Sequence, residues 1–150
     1  MRTAFVVVSL LWTAQSIAGE VTVGDAWARA TMPGQGSGAV YMTLASAKPG
    51  QLVGVKCAQS AHAAIHSMTH ENNMMKMREM ESLALPAGKQ VELKPGGNHL
   101  MLTGLKKPLK AGEDLAVTLT VQFDGGRTEE IEVRAQIRSM TGEHGHHHDH

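Results

Sequence analysis

Turn signals interrupt this chain every 8–12 residues, and that rhythm decides its fold class. The stretches "MPGQGSG", "AKPG", "LPAG", "PGGN" and "DGG" leave between them only short runs, rich in Val, Leu, Thr and Met. The runs are "VTVGDAWARA" (21–30), "AVYMTLAS" (39–46), "QLVGVKC" (51–57), "AAIHSM" (63–68), "MMKMREM" (74–80), "KQVELK" (89–94), "HLMLTGL" (99–105), "DLAVTLTVQF" (114–123) and "RTEEIEVRAQIR" (127–138). Several alternate apolar and polar residues with period two, as a half-buried strand does. "DGG" between the last two is a hairpin signal. Short strands at this spacing predict an all-β antiparallel sandwich or barrel. No stretch has the length and 3.6-residue period of a substantial helix, and "KMREMESLAL" is the one competing candidate.

Both ends stand apart from that pattern. "MRTAFVVVSLLWTAQSIA" opens with Arg2, continues apolar from Ala4 to Trp12 and ends in small residues at Ser16 and Ala18. This reads as a secretory signal over residues 1–18, cleaved after Ala18; its apolar run is shorter than the roughly 20 residues a bilayer needs. The domain is then 19–138, an exported protein with no membrane insertion. "SMTGEHGHHHDH" (139–150) has no apolar pattern and carries His144, His146, His147, His148 and His150, so it reads as a disordered His-rich tail.

Composition narrows the function. Loss of Arg2 leaves 13 basic against 14 acidic side chains, with no excess to attract nucleic acid or a membrane surface. The domain's aromatic residues are Trp27, Tyr41 and Phe123, too few for a base-stacking platform. There is no nucleophile elbow, no phosphate loop and no paired carboxylate in an apolar setting, so an enzyme is not expected. The single cysteine, Cys57, excludes an internal disulfide and reads as a small buried residue. In an oxidising compartment, a soft-metal site has reason to use thioethers and imidazoles instead of thiolates.

The chain has ten methionines. His99-Leu100-Met101 on a strand puts His99 and Met101 on one face, about 6.6 Å apart, just after the turn "KPGGN". His66-Ser67-Met68 repeats that geometry, and Met75 and Met77 share a face. Each could be core filler taken singly. Together they bring His and Met to one face close to turns, and that donor set favours Cu(I) over Zn, Mg or Ca. A blue-copper site from Cys57, His62, His66 and Met68 lacks a histidine before the cysteine.

The spacing His66-x10-Met77-x21-His99-x-Met101 resembles the copper-binding signature of the periplasmic copper chaperone family PCu(A)C. "VTVGDAWARAT", "MMKMREM" and "LPAGKQVELKPGGNHLMLTGLKKPLKAGE" are similar to that family too, over roughly residues 21–137. The resemblance implies a cupredoxin-like Greek-key β-sandwich in the periplasm, a monomer, with an exposed Cu(I) centre made by His66, Met77, His99 and Met101. It implies delivery of copper to the copper-bearing subunit of cytochrome c oxidase, alongside Sco-type proteins. A copper-buffering or resistance protein without an oxidase client would use the same ligands. Met68 could join or replace Met77. His70, in the polar "THENN" turn, and His62 are weaker candidates, and Met74, Met75 and Met80 are packing or rim residues. The tail histidines suit Cu(II), which the tail would capture and pass on after reduction.

Overall fold

The structure, a computed structural model, describes residues 20–139. The signal segment, its cleavage point and the tail from Met140 onward lie outside the described residues. Ten strands and no helix are found among the described residues: β1 (Val21–Arg29), β2 (Ser37–Ser46), β3 (Gly50–Lys56), β4 (Ser60–Glu71), β5 (Met74–Met80), β6 (Leu83–Leu85), β7 (Gln90–Leu93), β8 (His99–Leu105), β9 (Asp114–Phe123) and β10 (Thr128–Arg138). "KMREMESLAL" is therefore strand, split between β5 and β6, and not helix.

The strands form one hydrogen-bonded path, β5-β4-β8-β2-β1-β10-β9-β3-β6. β7 lengthens the β8 side: β8 pairs with the first half of β2 and β7 with the second. The path folds over into a sandwich because strict alternation supplies one apolar face. Leu115, Val117, Leu119, Val121 and Phe123 of β9 and Val133, Ala135 and Ile137 of β10 are buried. They meet Val40, Met42 and Leu44 of β2, Leu100 and Leu102 of β8 and Ile65 of β4 in a single cluster, which also takes in Cys57. Each such fully buried side chain is worth roughly 1.5–3 kcal/mol relative to exposure.

One pairing departs from the antiparallel expectation. β1 and β10 run parallel, with Trp27 opposite Gln136. Parallel neighbours need a crossover connection, and these two strands are separated by almost the whole domain. β1 also carries a bulge between Gly24 and Trp27, where Asp25 takes a positive φ of 47°.

Two turns position the histidines and methionines of β4, β5 and β8. The 94–98 turn closes with Lys94 N–H donating to Asn98 O and Gly97 N–H donating to Lys94 O, both at 3.0 Å, so His99 is the first residue of β8. β4 and β5 are joined by Asn72 and Asn73, with φ of 51° and 62°. This two-residue left-handed connection is the kind that matches strand twist, and Asn tolerates it better than most residues.

Candidate metal centre

Register assembles the site. β4 and β8 place His66 directly opposite His99 and Ala64 opposite Met101. β4 and β5 place Glu79 opposite His66 and Met77 opposite Met68. Residues paired across antiparallel strands share a face, and alternate residues along a strand do too. His66, Met68, Met77, His99 and Met101 therefore lie on one face, the one opposite the core residues Ile65, Leu100 and Leu102. His66 is the hub. His99 is its direct neighbour, with ring centroids 5.8 Å apart. Met77 and Met101 are its diagonal neighbours on β5 and β8, about 7–8 Å away, which long side chains can span. Met68 is two residues further along β4 from His66, so the face holds one thioether more than the resemblance requires.

Burial grades across the site. His99 is buried, His66, Met68 and Met101 are half-buried, and Met77 is 46% exposed. Tyr41 flanks His99 on the far side at 6.4 Å between ring centroids, and Trp27 stacks on Tyr41 at 4.6 Å. The Arg138 guanidinium caps Trp27 at 5.1 Å and bonds Asp25 at 3.0 Å. A row Trp27–Tyr41–His99–His66 thus crosses four strands.

The imidazoles are set for ligation. His99 Nδ1 lies 3.1 Å from Gly97 O. A carbonyl only accepts, so Nδ1 is the donor and Nε2 is the ring nitrogen left to ligate; tying one ring nitrogen to a carbonyl is how ligating histidines are usually held. His66 Nδ1 is buried and finds no hydrogen-bond partner among the described residues. Burial pushes the His66 imidazole below its ordinary pKa, with His99 and His62 acting the same way and Glu79 opposing them. It is neutral at pH 7 and free to bind a cation. No group of three or more His, Cys, Asp or Glu that could hold a metal occurs among the described residues. The donors diagonal to this His pair are thioethers, which suit a soft ion.

The remaining candidates separate. His70 is not in a turn as expected: β4 runs on through Glu71, so His70 is an exposed strand residue opposite Met75. The turn is only Asn72-Asn73, because a hairpin standing clear of the core needs no apolar alternation to continue. His62 is exposed beside Glu79, 3.8 Å away. Met80 packs against the core, while Met74 and Met75 are exposed. Cys57 is buried in that core, so the blue-copper arrangement has no accessible thiol. Sequence reasoning missed Tyr41, whose only signal was an outward position in the alternating run 39–46.

Fold and site together define a cupredoxin-like domain with a His/Met surface centre. The chain belongs to the PCu(A)C family, matching the LpqE-like lipoproteins over residues 21–137. It is 35% identical over 116 residues to the lipoprotein Lxx21020 of Leifsonia xyli subsp. xyli, covering 75% of this chain and 68% of that one. It is similar in structure to the apo PCuAC domain from PmoF1, with a TM-score of 0.65 at 27% identity over 81% of this chain and 95% of that domain. Cu(I)-bound DR1885 from Deinococcus radiodurans superposes with a TM-score of 0.60 at 34% identity, over 83% of this chain and 81% of the other. The lipoprotein family points to an exported protein.

Proposed function

We propose that this protein is a periplasmic copper chaperone that carries Cu(I) on His66, Met77, His99 and Met101. The carrying observation is the opposed His66–His99 pair, one ring tied at Nδ1 to Gly97 O and the other with an orphaned buried Nδ1, with thioethers diagonal to it. The 34% identical DR1885 is a Cu(I) complex, which supports the same cargo here. All four donors are neutral, so the ion keeps its single charge and the thioethers release no proton on binding. The burial gradient gives a direction. His99 and Met101 hold the ion from the inner side, while exposed Met77 is the ligand an acceptor can displace first.

In this reading the acceptor is the copper-bearing subunit of cytochrome c oxidase, with Sco-type proteins alongside, and the tail histidines His144, His146, His147, His148 and His150 gather Cu(II) for the domain. An anaerobic Cu(I) titration of residues 19–150 against a chromogenic chelator tests the site. One tight Cu(I) should bind, disappear in Met77→Leu/Met101→Leu and survive truncation after Gly142. Binding that vanishes with the tail and ignores both methionines would sink the carrier reading. Transfer of that Cu(I) to the isolated oxidase domain then separates a chaperone from a buffer.

A further inference from the structure

The β4–β5 hairpin extends past the candidate centre, and its outer rows repeat the same chemistry. Met68 faces Met77, and one row further out His70 faces Met75. By alternation all four stand on the face that carries His66. Cross-strand partners have Cβ atoms about 4.5–5.5 Å apart and same-face rows are about 6.6 Å apart. His70, Met75 and Met68 therefore enclose a space that one ion can bridge.

Ordinary roles do not account for these side chains. Met75 is 45% exposed, so it is not core filler. The His70 side chain makes no hydrogen bond or ion pair with any described residue, while its backbone pairs with Met75 on β5. The opposite face of the same hairpin is charged: Glu71 takes Lys76 at 3.2 Å and Arg78 at 3.8 Å. An exposed edge strand is normally blunted by charge, as that face is. The face toward the centre instead presents thioethers and an imidazole to solvent.

We propose that His70, Met75 and Met68 form a second Cu(I) site at the hairpin tip. It uses no ligand of the inner set, since the inner site takes Met77 and leaves Met68 free. The inference rests on Cu(I) being the cargo of the inner site. Two thioethers and one neutral imidazole give a three-coordinate, low-charge site that is more exposed than the inner one. Copper passes inward by ligand exchange, the bond to His70 breaking as one to Met77 forms, with no change of oxidation state. The tip is the loading step and the inner site the holding step.

The test is a titration of the mature full chain with silver nitrate, Ag(I) serving as a redox-inert soft probe, followed by NMR of 13C-methyl methionine. The first equivalent should shift the Met77 and Met101 methyls and the second those of Met68 and Met75 together with the His70 ring. His70→Asn/Met75→Leu should remove the second set and leave the first. If further Ag(I) leaves Met68 and Met75 in place, the tip is not a site and the inner assignment stands. If Met68 moves with the first equivalent, it is an inner ligand and the inference also fails. If Met77 and Met101 never move, the inner assignment fails, and Met68 and Met75 alone judge the tip.

Discussion

Replacing His66 by Phe should make the copper-free protein more stable while removing the inner site's copper response. The orphaned, buried Nδ1 of His66 is a desolvated polar atom with nothing among the described residues to repay it. Such a group costs about 1–3 kcal/mol. Phe keeps a ring beside His99, now 5.8 Å from His66, so the cross-strand ring contact survives in kind. Because His66 as a whole is only half-buried, the lower end applies, a gain of about 1 kcal/mol. For roughly 120 ordered residues the unfolding entropy is about 0.25 kcal/mol/K, so Tm should rise by about 4 °C. Copper changes the order. At a free Cu(I) concentration about 100 times the inner site's Kd, that site gives wild type about 2.7 kcal/mol, roughly 11 °C on the same scale, and the variant lacks this gain. Thermal unfolding under anaerobic, chelator-buffered copper should therefore rank apo wild type below His66→Phe, and His66→Phe below copper-loaded wild type. A variant less stable than apo wild type would show that the orphaned nitrogen costs nothing. A variant that copper stabilises as strongly as wild type would remove His66 from the ligand set.

Other parts of the fold give two more expected outcomes. Gly104 sits at φ +67°, and a Cβ there would lie 2.7 Å from the Ala61 Cβ; Gly104→Ala should cost at least about 1–2 kcal/mol from the left-handed backbone alone, read as a lower urea midpoint with unchanged Cu(I) stoichiometry. Acid should weaken the apo protein through His66, whose pKa is lowered from 6.5. The folded ring refuses a proton that the unfolded chain accepts, so stability is lost as pH falls through 6.5 toward the folded value. The Tm gap between His66→Phe and apo wild type should accordingly widen between about pH 8 and pH 5.

The sequence was most readable where one face is buried. In β9, 115, 117, 119, 121 and 123 alternate without a break, because each odd residue meets the core. His99-x-Met101 was readable for a related reason: Leu100 and Leu102 are fully buried, which fixes the opposite face for His99 and Met101. Legibility faded with distance from the core. The outer part of β4, residues 69–71, is exposed on both faces, so nothing in its polarity distinguishes strand from turn. β6 is three residues long, too short to show any period. The parallel β1–β10 pairing and the row from Trp27 to His66 depend on contacts between distant segments, which no local pattern encodes. For the site, spacing singled out the histidines and methionines; register alone put His66 at the hub and Met68 beside it.

The outer part of that register, which places Met77, hangs on two residues. Asn72 and Asn73 both hold positive φ, and the pairing that runs from Glu71 opposite Met74 down to Ile65 opposite Met80 starts from their turn. The inner end of the hairpin is secured independently, since Ile65 is buried and Met80 packs against the core. Replacing both asparagines by Val asks β-branched residues to take a left-handed backbone, at about 1–2 kcal/mol each. A two-stranded extension without its own core cannot absorb about 2–4 kcal/mol, whereas the sandwich beneath does not depend on it. Asn72→Val/Asn73→Val should therefore fray the outer hairpin and leave the domain folded. Amide exchange over residues 67–78 should quicken while that of β9 is unchanged. His66, His99 and Met101 would keep their places, but Met77 would lose its fixed diagonal position, and Cu(I) affinity should drop toward that of Met77→Leu. Unchanged affinity in a demonstrably frayed hairpin would mean that His66, His99 and Met101 hold the ion without Met77, and that the thioether on the β5 side is no ligand at all.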